Sequence, residues 1–195
     1  MKAWSPEKDL LAAVQEYVQN GEHTQIDFNG TPLELATALY LERFKRGTPW
    51  SGFFPTPAPV ATQAEEVLSI TPGMRVLDPG CGFGALSQAV EQRGGVPILV
   101  EYSNASVPIA QALWGEKRVH YADFTDGFRP PMFDATIVKP SYGKVFGHTD
   151  AALDFMTRVA DLSQASTRVV AILPRGYMRQ DRPKANVALR RTMVL

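Results

Sequence analysis

Apolar positions in the first third of the chain recur at helical spacing. Leu10, Leu11, Val14, Tyr17 and Val18 fall on one face, which predicts an amphipathic helix opened by Ser5-Pro6-Glu7 and stopped at Asn20-Gly21. Thr31-Pro32-Leu33-Glu34 reads as a capping box. It introduces a second helix with Leu35, Ala36, Leu39, Tyr40 and Phe44 on its apolar face and Gly47 at its end. The aromatic, proline-rich stretch from Trp50 to Pro57 leads into a third helix carrying Val60, Ala61, Ala64, Val67 and Leu68, stopped at Pro72-Gly73.

From Met74 the pattern changes. Five short apolar runs, MRVLDPG, PILVEY, RVHYAD, FDATIVKP and TRVVAILP, alternate with helical stretches near 83–93, 105–114 and 150–164. Strands of this kind, apolar on both faces and separated by amphipathic helices, predict parallel βαβ units. The expected fold class is therefore α/β: a doubly wound, mostly parallel, Rossmann-like sheet with a helical N-terminal extension. The extension is placed at 1–49 and the main domain at 50–195. No internal repeat is visible.

Composition narrows the class. The chain has 195 residues, 45% hydrophobic and 21% charged, which fits a globular domain and excludes disordered or fibrous chains. No apolar run approaches the roughly 20 residues that span a bilayer, and the start MKAWSPEKDL carries no signal-peptide core. Cys81 is the one cysteine, so no internal disulfide is expected, and His23, His120 and His148 lack zinc spacing. These features predict a cytoplasmic, metal-independent protein. The 20 basic and 20 acidic residues cancel, yet from Arg168 onward seven basic residues face a single acid, Asp181. Such a tail suits a polyanion, and it suits a solvated helix face equally well.

Candidate chemistry begins where the first strand meets its helix. Leu77-Asp78-Pro79-Gly80-Cys81-Gly82-Phe83-Gly84 places three glycines between a strand and a helix, where backbone can approach a ligand closely. The second strand ends on Glu101, about 20 residues downstream, where dinucleotide-type folds hold ribose hydroxyls. Cys81 reads as a small packing residue, with no histidine near it in sequence.

VLDPGCGFGALSQAV, LVEYS and YADF, in that order, resemble the S-adenosylmethionine-binding half of class I methyltransferases. FFPTPAPVA upstream resembles the methionine-binding segment that precedes the glycine loop in amino-group (adenine-N6) DNA methyltransferases. The resemblance covers roughly residues 50–180. It implies S-adenosylmethionine as cofactor and nucleic acid, DNA first, as the methyl acceptor. It implies that Phe54, Thr56 and Pro57 flank the methionine moiety, and that Asp78, Gly80 and Gly82 hold the amino-acid end and ribose. Glu101 would take the ribose hydroxyls, with Tyr102 beside the adenine. Asp123 would accept from the adenine amino group and Phe124 would stack on the base; an aspartate there also serves simply to cap its own turn.

The fourth strand departs from the family. Its (Asn/Asp/Ser)-Pro-Pro-(Tyr/Phe/Trp) motif corresponds here to the candidate catalytic residues Lys139, Pro140, Ser141 and Tyr142. Tyr142 retains an aromatic ring for an extruded base and Pro140 a carbonyl acceptor. A protonated lysine has three donors and no acceptor, and it sets a positive charge near a sulfonium. Three readings follow: an acceptor other than adenine, a neutral Lys139 acting as base, or a non-catalytic cofactor- or nucleic-acid-binding subunit. Methylation of a protein or small molecule is a further alternative. About twenty residues follow the fifth strand, enough for one loop and one helix, so the antiparallel hairpin that usually completes this sheet is expected to be missing. A second copy or a partner subunit is expected on the open edge. Lys144 and the basic tail are the candidate phosphate contacts.

Overall fold

A computed structural model describes residues 6–43, 53–142 and 150–178. Ser5, Phe44, Gly47, Trp50, Lys144, His148, the expected C-terminal helix and the tail residues from Arg179 onward lie outside the described residues.

Two helices, α1 (Pro6–Asn20) and α2 (Pro32–Arg43), form the N-terminal extension. The capping box on α2 closes in both directions: the Thr31 amide donates to Glu34 Oε2 at 2.7 Å, and the Glu34 amide donates to Thr31 Oγ1 at 3.2 Å. Buried Leu10, Val14, Leu35, Leu39 and Tyr40 share one core with Phe83 and Ile109. The extension therefore packs directly on the glycine-rich turn, because its apolar stripe has that surface as its partner. Helix α3 (Ala58–Leu68) begins directly after Pro57.

Five strands follow: β1 (Arg75–Pro79), β2 (Val96–Glu101), β3 (Val119–Tyr121), β4 (Ala135–Val138) and β5 (Arg168–Ala171). Every pairing is parallel and the spatial order is β3-β2-β1-β4-β5. Helices α4 (Ala85–Gln92), α5 (Val107–Trp114) and α6 (Ala151–Leu162) cover the faces. Alternation along the strands sorts the side chains. Val76 and Ile137 pack with α3 and α4 through Ala61, Leu68, Leu86 and Val90. Leu77, Ile98 and Val100 face the opposite way, toward Val159 of α6 and Phe124. Leu99 packs with Ala110 of α5.

Two strand ends are fixed by a carboxylate. β2 ends at Glu101, as expected, and the Glu101 carboxylate captures the next two amides. β3 ends at Tyr121, and Asp123 then turns the chain by accepting from the Thr125 amide at 2.8 Å and its hydroxyl at 2.7 Å. Chain direction through the sheet reverses at β1, which has β2 on one side and β4 on the other. That is a topological switch point, where open α/β sheets form a crevice beyond the strand ends.

Candidate functional site

Three strand ends meet at that crevice: Asp78 from β1, Glu101 from β2 and Lys139 immediately after β4. One cleft is lined by all three together with Gly80, Gly82, Asp123, Phe124 and Ser141. Phe54, Thr56 and Tyr102 line it as well. Phe54 and Tyr102 sit at its mouth, 67% and 49% exposed. Of the expected site residues, Pro57, Pro140 and Tyr142 lie outside the lining. Pro57 is exposed at the N-terminus of α3, and Pro140 is buried.

The glycine-rich turn is pinned across the sheet, with the Gly80 and Cys81 amides both donating to the Val100 carbonyl at 2.8 and 3.0 Å. Gly82 and Gly84 adopt φ of 57° and 93°, conformations that penalise any side chain. Space is short as well. A Cβ on Gly82 would lie 2.5 Å from the Phe53 ring, and one on Gly84 would lie 2.3 Å from Trp114 Nε1. Trp114 donates that N–H to the Phe83 carbonyl at 2.9 Å. Phe53 is in turn held by the extension, since its carbonyl accepts from the Tyr40 hydroxyl at 3.2 Å and the rings meet edge to face at 4.7 Å.

The two strand-end carboxylates differ in kind. Glu101 is well supplied with donors: Oε2 accepts from the Gly82 amide at 2.7 Å, while Oε1 accepts from Tyr102 and Ser103 at 2.8 and 2.7 Å. Burial raises its pKa, and these three amides together with Lys139 oppose the rise. Asp78 is buried, with Oδ2 accepting from Ser87 Oγ at 2.7 Å and Oδ1 without a partner. Burial pushes its pKa up to about 7; Ser87 opposes this, the Glu101 charge reinforces it, and Lys139 opposes it. Ser106 Oγ, also on the lining, is a second buried polar atom without a partner. Burial likewise raises the Cys81 thiol, so it stays protonated and inert beside these carboxylates.

Lys139 is half-buried, and its Nζ lies 5.8 Å from the centroid of the Tyr142 ring. Burial lowers its pKa while Asp78 and Glu101 raise it. Tyr142 donates its hydroxyl to the Ile172 carbonyl at 2.8 Å and packs with Ala152, Leu173 and Tyr177. Its ring thus packs against α6 and is not among the residues that line the cleft.

Phe124 is buried against Phe155, with ring centroids 5.6 Å apart, and forms part of the cleft wall. Asp123 spends Oδ1 on its own turn. Sequence reasoning missed Phe53 and Ser106, which line the cleft, and Ser87 and Trp114, which brace Asp78 and the glycine turn; packing rather than any local motif places all four. Among the described residues no group of three His, Cys, Asp or Glu side chains could hold a metal ion, and no helix is long and apolar enough to cross a membrane.

No protein-family model and no curated protein sequence matches this chain. Solved structures do. A Listeria monocytogenes protein put forward as a class I S-adenosylmethionine-dependent methyltransferase superposes with a TM-score of 0.69 at 16% identity, over 93% of this chain and 71% of that one. The modification subunit of a proposed type I restriction enzyme from Vibrio vulnificus gives 0.58 at 18% identity, over 85% of this chain. This chain spans 44% of that subunit's length. The methyltransferase subunit of a type I restriction-modification system from Streptococcus thermophilus gives 0.57 at 16% identity, over 96% of this chain and 61% of that one. With its strand order, its glycine turn and these superpositions, the chain has the class I S-adenosylmethionine-dependent methyltransferase fold.

Proposed function

We propose that the chain binds S-adenosylmethionine in this cleft and transfers its methyl group to an amino group of a nucleic acid, DNA first. The observation that carries the reading is the convergence of Asp78, Glu101 and Asp123 on one cleft at the carboxyl ends of β1, β2 and β3. The residues fit the cofactor. Asp78 Oδ1 and Ser106 Oγ are buried polar atoms in need of partners, and Glu101 has lone pairs beyond its three amide bonds. When bound, S-adenosylmethionine supplies a methyl group activated on a sulfonium sulfur.

Glu101, fixed in orientation by three amides, accepts from the ribose hydroxyls. Asp78 Oδ1 accepts from a donor at the amino-acid end, assisted by Ser106. Asp123 Oδ2 accepts from the adenine amino group, with Phe124 as the apolar wall beneath the base. Phe54 and Thr56 flank the methionine side. Positioning of this kind supplies most of the rate in a displacement that needs no covalent help from protein. The restriction-modification subunits among the similar structures support a nucleic-acid acceptor and partner subunits.

A second reading, a cofactor-binding subunit without catalysis, is favoured by two details. Lys139 stands where the family motif has an acceptor, and Tyr142 is engaged with Ile172. Transfer of labelled methyl to DNA, RNA and protein, run beside a calorimetric titration of the cofactor, separates the two. Label on DNA or RNA, lost in Glu101→Gln, is the expected result. Binding without transfer to any of the three would replace the first reading with the second. If Lys139 alone blocks adenine chemistry, Lys139→Asn raises adenine methylation.

A further inference from the structure

We infer that a groove at the amino ends of β1, β4 and β5, at the end of the sheet opposite the cleft, docks an extended acidic segment of a partner protein. The groove encloses about 520 Å³, within the range of pockets that hold a specific ligand. Met74 precedes β1, Asp134 precedes β4 and Arg168 opens β5. The loop from Arg129 to Phe133 and the residues that follow α6 complete the lining. Groove and cleft share no lining residue.

Charge decides the kind of partner. Asp134 is the one acid in the lining, and Arg75 already occupies it: the Arg75 amide donates to Oδ2 at 2.8 Å and Nη2 to Oδ1 at 3.3 Å. Arg129 and Arg168 are exposed, and among the described residues neither has an anionic partner. Arg168 donates Nη2 only to the Met74 thioether, at 3.5 Å. Sulfur is a weak acceptor, so an incoming carboxylate displaces it readily. Arginine clusters recognise acidic motifs through such carboxylate pairs. Pro130, Pro131, Leu162 and Met132, the last 70% exposed, add apolar surface beside the two guanidinium groups. A nucleic-acid strand asks for a longer cationic track than this. Two arginines in an apolar recess suit carboxylates carried next to bulky apolar side chains.

Fluorescence anisotropy on the full chain with the labelled peptide Gly-Glu-Leu-Glu-Phe-Gly tests this. Its counterpart with both glutamates replaced by glutamine, and a short labelled single-stranded DNA, are run beside it. The acidic peptide is expected to bind with Kd below about 1 mM at low salt, at least about tenfold tighter than the glutamine peptide. Arg129→Gln and Arg168→Gln should each cut that preference at least about fivefold; general weakening of a variant cancels from the ratio. Lys117→Gln removes an exposed charge near β3, at the far edge of the sheet, and should leave the preference within about twofold. Equal binding of the two peptides, a preference insensitive to both arginine variants, or no binding overturns the inference. So does DNA that binds more tightly than the acidic peptide and loses that affinity in the arginine variants, which would make the groove a phosphate site. None of these outcomes involves the cleft, so the cofactor reading stands whichever is found.

Discussion

Ser87 donates its hydroxyl to one oxygen of Asp78 at 2.7 Å, and the other oxygen of that carboxylate is buried with no partner. The arrangement is half-satisfied, on a residue that lines the cleft together with Glu101 and Lys139. A buried acceptor left open in this way costs stability until something donates to it.

Asp78 should therefore destabilise the ligand-free protein as pH rises. Its folded pKa of about 7 lies above the ordinary 3.8, so its contribution to stability is fully present below about pH 4 and is lost as pH climbs through 7. Roughly 4 kcal/mol is the upper scale for a three-unit shift. Asp78→Asn keeps an acceptor for Ser87 and removes the titration. Urea melts from pH 5 to 8 should show wild-type stability falling and the variant's staying flatter, with the variant more stable at pH 8 by about 1–3 kcal/mol. Parallel curves would contradict this.

Glu101 should respond to loss of its charge in the opposite way, although burial raises its pKa as it does that of Asp78. Its carboxylate accepts from three amides, and an amide side chain cannot accept on both ends. Glu101→Gln leaves at least one N–H facing an N–H, so the variant should lose about 1–3 kcal/mol in the same melts. Two carboxylates in one cleft would then give stability changes of opposite sign. A neutral or stabilising Glu101→Gln would show that these amides do not depend on the charge.

Gly82 and Phe53 should couple. Gly82→Ala adds a methyl at φ 57° and 2.5 Å from the Phe53 ring, and the conformation alone costs about 1–2 kcal/mol. The ring clash adds to that. Phe53→Leu should relieve the clash and leave the backbone cost, so the double variant should lose less than the sum of the singles by about 1 kcal/mol. Strict additivity would mean that Phe53 does not rest on the turn.

Local signals account for what could be read from sequence. Thr31 and Glu34 lie three residues apart and cap α2 as expected. Asp78, the glycine turn and Glu101 are set by strand ends in adjacent register, Asp78 opposite Leu99 and Pro79 opposite Val100, so spacing sufficed to group them. Phe53 reaches Gly82 through a contact with Tyr40 on the extension, and no pattern within either segment announces it. Ser106 reads as an ordinary helix-start serine, and its role at the cleft depends on where α5 packs. Tyr142 shows the limit of a motif. Its position after β4 is as expected, yet a hydrogen bond to Ile172, thirty residues away, sets its direction.

The central claim is that one cleft, built on Asp78, Glu101 and Asp123, accepts an S-adenosyl nucleoside. A crystal structure of the full chain grown with S-adenosylhomocysteine tests it most directly. The account predicts ribose hydroxyls on Glu101, a ligand donor within hydrogen-bond distance of Asp78 Oδ1, and the adenine between Tyr102 and Phe124 with its amino group on Asp123. A ligand bound elsewhere, or a cleft that stays empty at saturating ligand, would contradict it.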